Sequence, residues 1–208
     1  RFGNHMPYYR LEGKYRSEGL DLSRSVLCTS MARCGELLEP IADQNHKEIF
    51  ESEVVYTDDT PVTLAQSSTG GSRQARVWAY LDQEGRHWYD FTESRKRDGP
   101  ARVFAGFTGY IHADAYPGYD QIFLPGGATE VGCWFHARRG FIKAEATDPA
   151  LAKEAIDRIR VLFKIDEAAA ELSDEDRARF RQQKAGPLLE ELRAWMDLTA
   201  TKVLPKGP

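Results

Sequence analysis

Between Glu53 and about Glu145 a β-hairpin is followed by strands alternating with helices, and few folds accommodate that order. "ARVWAYLD" and "RHWYDFTES" are rich in β-branched and aromatic residues and are joined by a short Gln-Glu-Gly link, the pattern of a hairpin. Ahead of them "SEVVYTDDTPVTL" begins a strand at Val54, Val55 and Tyr56, whose pairing Pro61 is expected to end. Behind them come a short helix in "DGPARVFAGF" with Pro100 in its first turn, a strand "GYIHAD", a crossover "GYDQIFLPGG", a strand "ATEVGCWF" and a helix "HARRGFIKAEA". Strand, strand, strand, helix, strand, crossover, strand, helix predicts an α/β fold: a mixed sheet with helices on its faces.

Helical patterns flank this core. Residues 1–50 form an N-terminal helical segment, with Tyr8, Leu11 and Tyr15 at helical spacing, a turn at Gly19, and Ser23 as N-cap of a second helix. Two helices about a glycine, with Arg10, Lys14, Arg16 and Arg24 nearby, fit either a helix-turn-helix or a helical hairpin packed on the main domain. The core is expected over 51–147, and 148–208 as a helical insertion. There Leu151, Ala155, Ile159, Leu162 and Phe163 form an apolar stripe, and Ser173 opens another helix. With 41% apolar residues in 208, a substantial core is within reach. Cys28, Cys34 and Cys133 are too few and too unpatterned for a disulfide framework, which fits a reducing cytosol. No apolar run approaches the roughly 20 residues of a membrane span. The chain opens at Arg1 without an initiator Met and stops at "VLPKGP", and is expected to be a piece of something longer.

Two strands end in acids. Asp58 and Asp59 are adjacent, so they point to opposite sides of their strand, and one of them serves a site at most. "GYIHAD" ends in Asp114. In this element order the first and fourth strands can lie parallel and adjacent at the sheet centre. Strands are about 4.8 Å apart, so Asp58 and Asp114 can share a cation pair of the kind used in phosphoryl transfer. Both are therefore candidate catalytic residues and metal ligands, with Asp59 expected to turn away. The alternative is an exposed acidic turn.

"YTDDTPV", "GYIHADAYPGYD" and "GCWFHARRGF", in that order, resemble the insertion sequence 66 family of bacterial transposases, and "MPYYRLEGKYRSEGLDLSRSVL" is similar to the segment preceding that family's first acid. The resemblance implies an RNase H-like catalytic domain with a DDE acid triad, and Mg²⁺ or Mn²⁺ as cofactor. It implies cleavage at element ends, strand transfer into target DNA, DNA and a homo-oligomer as partners, and action at the nucleoid in the bacterial cytoplasm. By position, the family's first acid falls on Asp58 and its second on Asp114. Asp59 stands where the family more usually has Glu, and Ala115 where it usually has Gly. The third acid follows paired Asn residues, and no Asn occurs after Asn45, so that motif is expected beyond Pro208. Glu145 and Glu154 lack matching context and read as helix-surface residues. A nuclease without strand transfer and an inert DNA-binding or oligomerisation fragment are the competing readings.

The remaining candidates are fewer. Cys133 and His136 have metal-ligand spacing, but no partner pair completes a zinc site, and the resemblance makes them part of a Cys-x-x-His signature with a structural role. The cluster Arg95, Lys96 and Arg97, together with Arg138 and Arg139, can contact DNA phosphates. A solvated loop and salt bridges to the acids of the last helices are the alternatives. A net charge of -4 means that any attraction to DNA must come from such local patches. His112 is expected to be a core histidine, with a supporting role beside Asp114 as the alternative, and Trp78, Trp88 and Trp134 core tryptophans rather than base-stacking platforms. "STGGSR" lacks the Lys-Ser/Thr and the context of a phosphate loop.

Overall fold

The computed structural model describes residues 6–65 and 71–203. Much of "STGGSR" and most of "VLPKGP" lie outside the described residues. By its internal contacts the chain divides into two compact units, Arg1–Val131 and Gly132–Pro208.

The first unit opens with α1 (Tyr8–Ser17) and α2 (Arg24–Phe50), joined through Gly19 at φ 84°. Ser23 caps α2 by accepting the Val26 N–H at 3.3 Å. Three strands follow: β1 (Val54–Ala65), β2 (Ser72–Leu81) and β3 (His87–Thr92). Helix α3 (Asp98–Val103), β4 (Tyr110–Ala113), a single 3-10 turn (Pro117–Tyr119) and β5 (Thr129–Gly132) complete the series. The sheet order is β3-β2-β1-β4-β5, antiparallel from β1 to β3 and parallel between β1 and β4. This mixed sheet with its helices is an RNase H-like arrangement, and the expected element order is the observed one.

Side-chain alternation sorts the sheet into two faces. Val55 and Thr57 of β1, Trp78 and Tyr80 of β2, and Ile111 and Ala113 of β4 point to the covered face and are buried. Ile49 and Phe50 at the end of α2, Phe104 and Phe107 after α3, and Tyr119 pack against them. The aromatic rings meet edge-on or tilted, with Phe50 5.3 Å from Phe104 and Tyr119 6.1 Å from Trp78. Only the last turns of α2 reach this core. Leu37, Leu38 and Ile41 project into solvent, 57–69% exposed, so their apolar spacing does not mark a helix packed along its length on the main domain.

Two local expectations fail. Pro61 does not end β1, which stays in register with β2 as far as Ala65, opposite Ser72. Beyond Tyr56, β1 is paired on one side only, so a residue without an N–H is tolerated there. His112 is not a core histidine. It is half-buried on the face opposite Ile111 and Ala113, its ring 5.3 Å from that of its register partner Tyr56.

The second unit is helical: α4 (Trp134–Ala144), α5 (Pro149–Ala168) and α6 (Asp174–Ala200). Asp148 caps α5 through the Leu151 N–H with Pro149 at the first position, and Ser173 caps α6 through the Asp176 N–H. Ile159, Leu162 and Leu192 form its centre, with Trp134, Phe141, Phe163 and Trp195 against them. Trp78, Trp88 and Trp134 are thus packed in cores. Among the described residues no helix is long and apolar enough to cross a membrane.

Candidate metal centre

The parallel register aligns Val54 with Tyr110, Val55 with Ile111 and Tyr56 with His112. Two residues further along each strand, this places Asp58 level with Asp114. The chain leaves the sheet after Ala113, so Asp114 sits beside a stretch of β1 that has lost its β4 neighbour. One oxygen from each of Asp58, Asp59 and Asp114 accordingly lies within 4.8 Å of the others.

The expectation that Asp59 turns away fails, and the reason is strand parity. Asp59 follows Val55 and Thr57 on the covered face, and its side chain is only 2% exposed, whereas Asp58 is exposed. A carboxylate so buried needs cations, and it has two. Arg76 of β2 donates to Oδ2 at 2.9 Å. Arg95 donates to Oδ1 from Nε at 2.8 Å and from Nη2 at 2.6 Å. The same Nη2 donates to Asp114 Oδ2 at 2.9 Å, so one guanidinium bridges two acids. Burial works against the Arg95 charge, but Asp59 and Asp114 outweigh it and raise its pKa above the ordinary value.

Local turns hold the other oxygens. The Tyr116 N–H donates to Asp114 Oδ1 at 3.1 Å, closing a turn in which Ala115 adopts φ 57°. That is the left-handed region, which suits Gly better than Ala. The Asp59 N–H donates to Asp58 Oδ1 at 2.8 Å. Below the cluster, the Tyr119 hydroxyl is 3.4 Å from Thr57 Oγ1. Burial raises the Tyr119 phenol pKa well above its ordinary range. The Thr57 contact lowers it in part, and the charges of Asp114, Asp59 and Asp58 add to the rise.

The other sequence candidates divide. Arg95 is drawn into the acid cluster, while Lys96 and Arg97 beside it are exposed. In the second unit, Arg138 is half-buried and Arg139 exposed on α4, and among the described residues neither forms an ion pair with a carboxylate. Cys133 stands at the N-cap of α4, with its carbonyl accepting the Ala137 N–H at 3.0 Å. Among the described residues no group of three metal-ligating side chains includes Cys133 or His136. Glu145 and Glu154 are exposed, the latter paired with Arg158 at 2.7 Å. Sequence reasoning missed Arg76 and the part played by Asp59. The available signal was the parity of Val55, Thr57 and Asp59, since an acid continuing a buried row demands a cation across the sheet.

A mixed sheet in this order, with carboxylates of the central strand β1 meeting one just past the end of its parallel neighbour β4, defines an RNase H-like protein with a candidate cation site. The family described as "Transposase IS66 family" matches residues 1–208, and the chain belongs to that family. Among curated relatives it is similar to three from Sinorhizobium fredii. Uncharacterized protein y4hP is 28% identical over 94% of this chain and 40% of its own length. Uncharacterized protein y4qI is 28% identical over 92% of this chain and 39% of its own length. Uncharacterized protein y4jD is 25% identical over 93% of this chain and 41% of its own length. The chain therefore spans about two-fifths of the length of the relatives it matches.

Proposed function

We propose that this chain is the part of a DNA transposase catalytic domain that carries two of its acids, Asp58 and Asp114, for metal-dependent cleavage at element ends and strand transfer into target DNA. The observation that carries this reading is the meeting of those two carboxylates on adjacent parallel strands, Asp58 within β1 and Asp114 just past the end of β4. The donor set fits a hard divalent cation: carboxylate oxygens only, with no thiolate or imidazole in the cluster. The Arg95 guanidinium between Asp59 and Asp114 supports the same point, because the site already accommodates positive charge between acids. Asp58 and Asp114 would hold Mg²⁺ or Mn²⁺, whose chemistry when bound is activation of an attacking oxygen and stabilisation of the leaving 3′ oxygen. Asp59, committed to two arginines, positions rather than ligates. Lys96, Arg97, Arg138 and Arg139 are the proposed phosphate contacts, and the setting is DNA in the bacterial cytoplasm.

The test is a divalent-metal titration of the chain with nicked and blunt DNA ends. Weak binding of Mg²⁺ that disappears in Asp114→Asn, with little cleavage by this chain alone, is the expected result. Metal binding that survives both Asp58→Ala and Asp114→Asn would remove the reading. For DNA, each phosphate contact contributes about -0.9 to the slope of log affinity against log salt. Neutralising Arg138 and Arg139 together should flatten that slope; an unchanged slope would return them to a purely structural role.

A further inference from the structure

Arg95 was read from sequence as one of a cluster of loop cations, yet its surroundings are those of a built-in part. Its guanidinium donates to Asp59 through two nitrogens and to Asp114 through one of the same two. Tyr116 holds it from both ends: its ring lies 4.0 Å from Cζ, and its hydroxyl donates to the Arg95 carbonyl. The side chain is nevertheless 34% exposed, so it has a way out to solvent. Charge decides what its departure would do. Asp59 and Asp114 contribute two negative charges and Arg76 and Arg95 two positive ones, so these four groups balance. With Arg95 swung away, Asp59, Asp114 and Arg76 stand at net -1. Arg76 alone then keeps the buried Asp59 paired, through the oxygen Arg95 does not use.

We propose that Arg95 is the resident counter-cation of this site, a latch on Asp114 that a divalent ion must displace before it can bind. The inference rests on the metal reading of Asp58 and Asp114. It makes binding a competition: Arg95 lowers divalent affinity, orders the acids in the absence of metal, and is released towards solvent when the ion enters. A freed guanidinium beside Lys96 and Arg97 would then be available to a phosphate oxygen.

The experiment is a Mn²⁺ binding isotherm by electron paramagnetic resonance on the full 208-residue chain, paired with thermal melts with and without Mn²⁺. The chains compared are the unaltered one, Arg95→Gln, Arg95→Lys and Asp114→Asn. Arg95→Gln should bind Mn²⁺ about tenfold more tightly, the factor that corresponds to ~1.4 kcal/mol. Without metal it should melt below the unaltered chain, and Mn²⁺ should raise its Tm by more. Should Arg95→Gln fail to fold, Arg95→Lys carries the test. Its ammonium is a point charge that cannot bridge two carboxylates in a fork, so it should bind Mn²⁺ a few-fold more tightly than the unaltered chain. If the unaltered chain binds Mn²⁺ in an Asp114-dependent way and neither Arg95 variant binds it more tightly, the latch is overturned and the metal reading stands. If no chain binds Mn²⁺ through Asp114, the metal reading falls and takes the latch with it.

Discussion

Replacing Asp59 and Asp58 separately by alanine should give opposite results, although the two residues are neighbours. Asp59 has a side chain 2% exposed and accepts three charge-assisted hydrogen bonds, at 2.9, 2.8 and 2.6 Å. Hydrogen bonds to charged groups contribute about 1.5–3 kcal/mol each, but the full sum is too large here. Arg76 and Arg95 are 23% and 34% exposed and can recover water, and Arg95 keeps Asp114. Removing Asp59 also relieves repulsion within the acid cluster. A loss of about 2–3 kcal/mol is the expected cost, below the ~3–5 kcal/mol of breaking a fully buried pair. Asp58→Ala removes an exposed side chain, so it should cost less, about 1 kcal/mol at most. Divalent binding should be lost in Asp58→Ala. Urea unfolding followed by tryptophan fluorescence reads the difference, because Trp78 and Trp88 lie in the same sheet as Asp59. An Asp59→Ala variant as stable as the unaltered chain, or an Asp58→Ala variant as damaged as Asp59→Ala, would refute the assignment of positioning to one acid and ligation to the other.

Ala115→Gly should stabilise the protein. A non-glycine residue at φ 57° costs roughly 1–2 kcal/mol, and the added freedom of glycine in the unfolded chain returns about 0.4–1 kcal/mol of that. A net gain of up to about 1 kcal/mol should appear as a higher Tm, and a lower one would mean that the turn is not strained by alanine. Asp82, buried where β2 turns towards β3, gives a pH prediction. Burial acts to raise its carboxyl pKa, yet the Arg86 side chain and backbone, with the Glu84 N–H, hold it below the ordinary value. A depressed folded pKa contributes stability that is present above the unfolded value, near 4, and is lost as pH falls through the folded value. Acid titration of stability should therefore be shallower below pH ~4 in Asp82→Asn, and an unchanged profile would exclude this pair as its source.

The amino-acid sequence alone determined the order of elements, because each local signal acts over a few residues: Ser23 and Ser173 as caps, the short link between β2 and β3, and the alternation that makes β1 and β4 strands. It also marked Asp58 and Asp114 as an acid pair on neighbouring strands, although β1 runs on past Asp58 to Ala65. Three things were decided only in three dimensions. Whether Pro61 ends β1 depended on which side of the strand still had a neighbour. Which of two adjacent acids faced the core depended on which sheet face α2 and the residues after α3 cover, and that put Asp59 inside. The identity of its partners depended on register and loop path. Arg76 lies on the neighbouring β2, and Arg95 comes back from the end of β3 to a carboxylate 36 positions earlier in sequence. Strand periodicity encodes which residues share a face. It does not encode which face is buried or what crosses it, because both come from contacts between residues far apart along the chain.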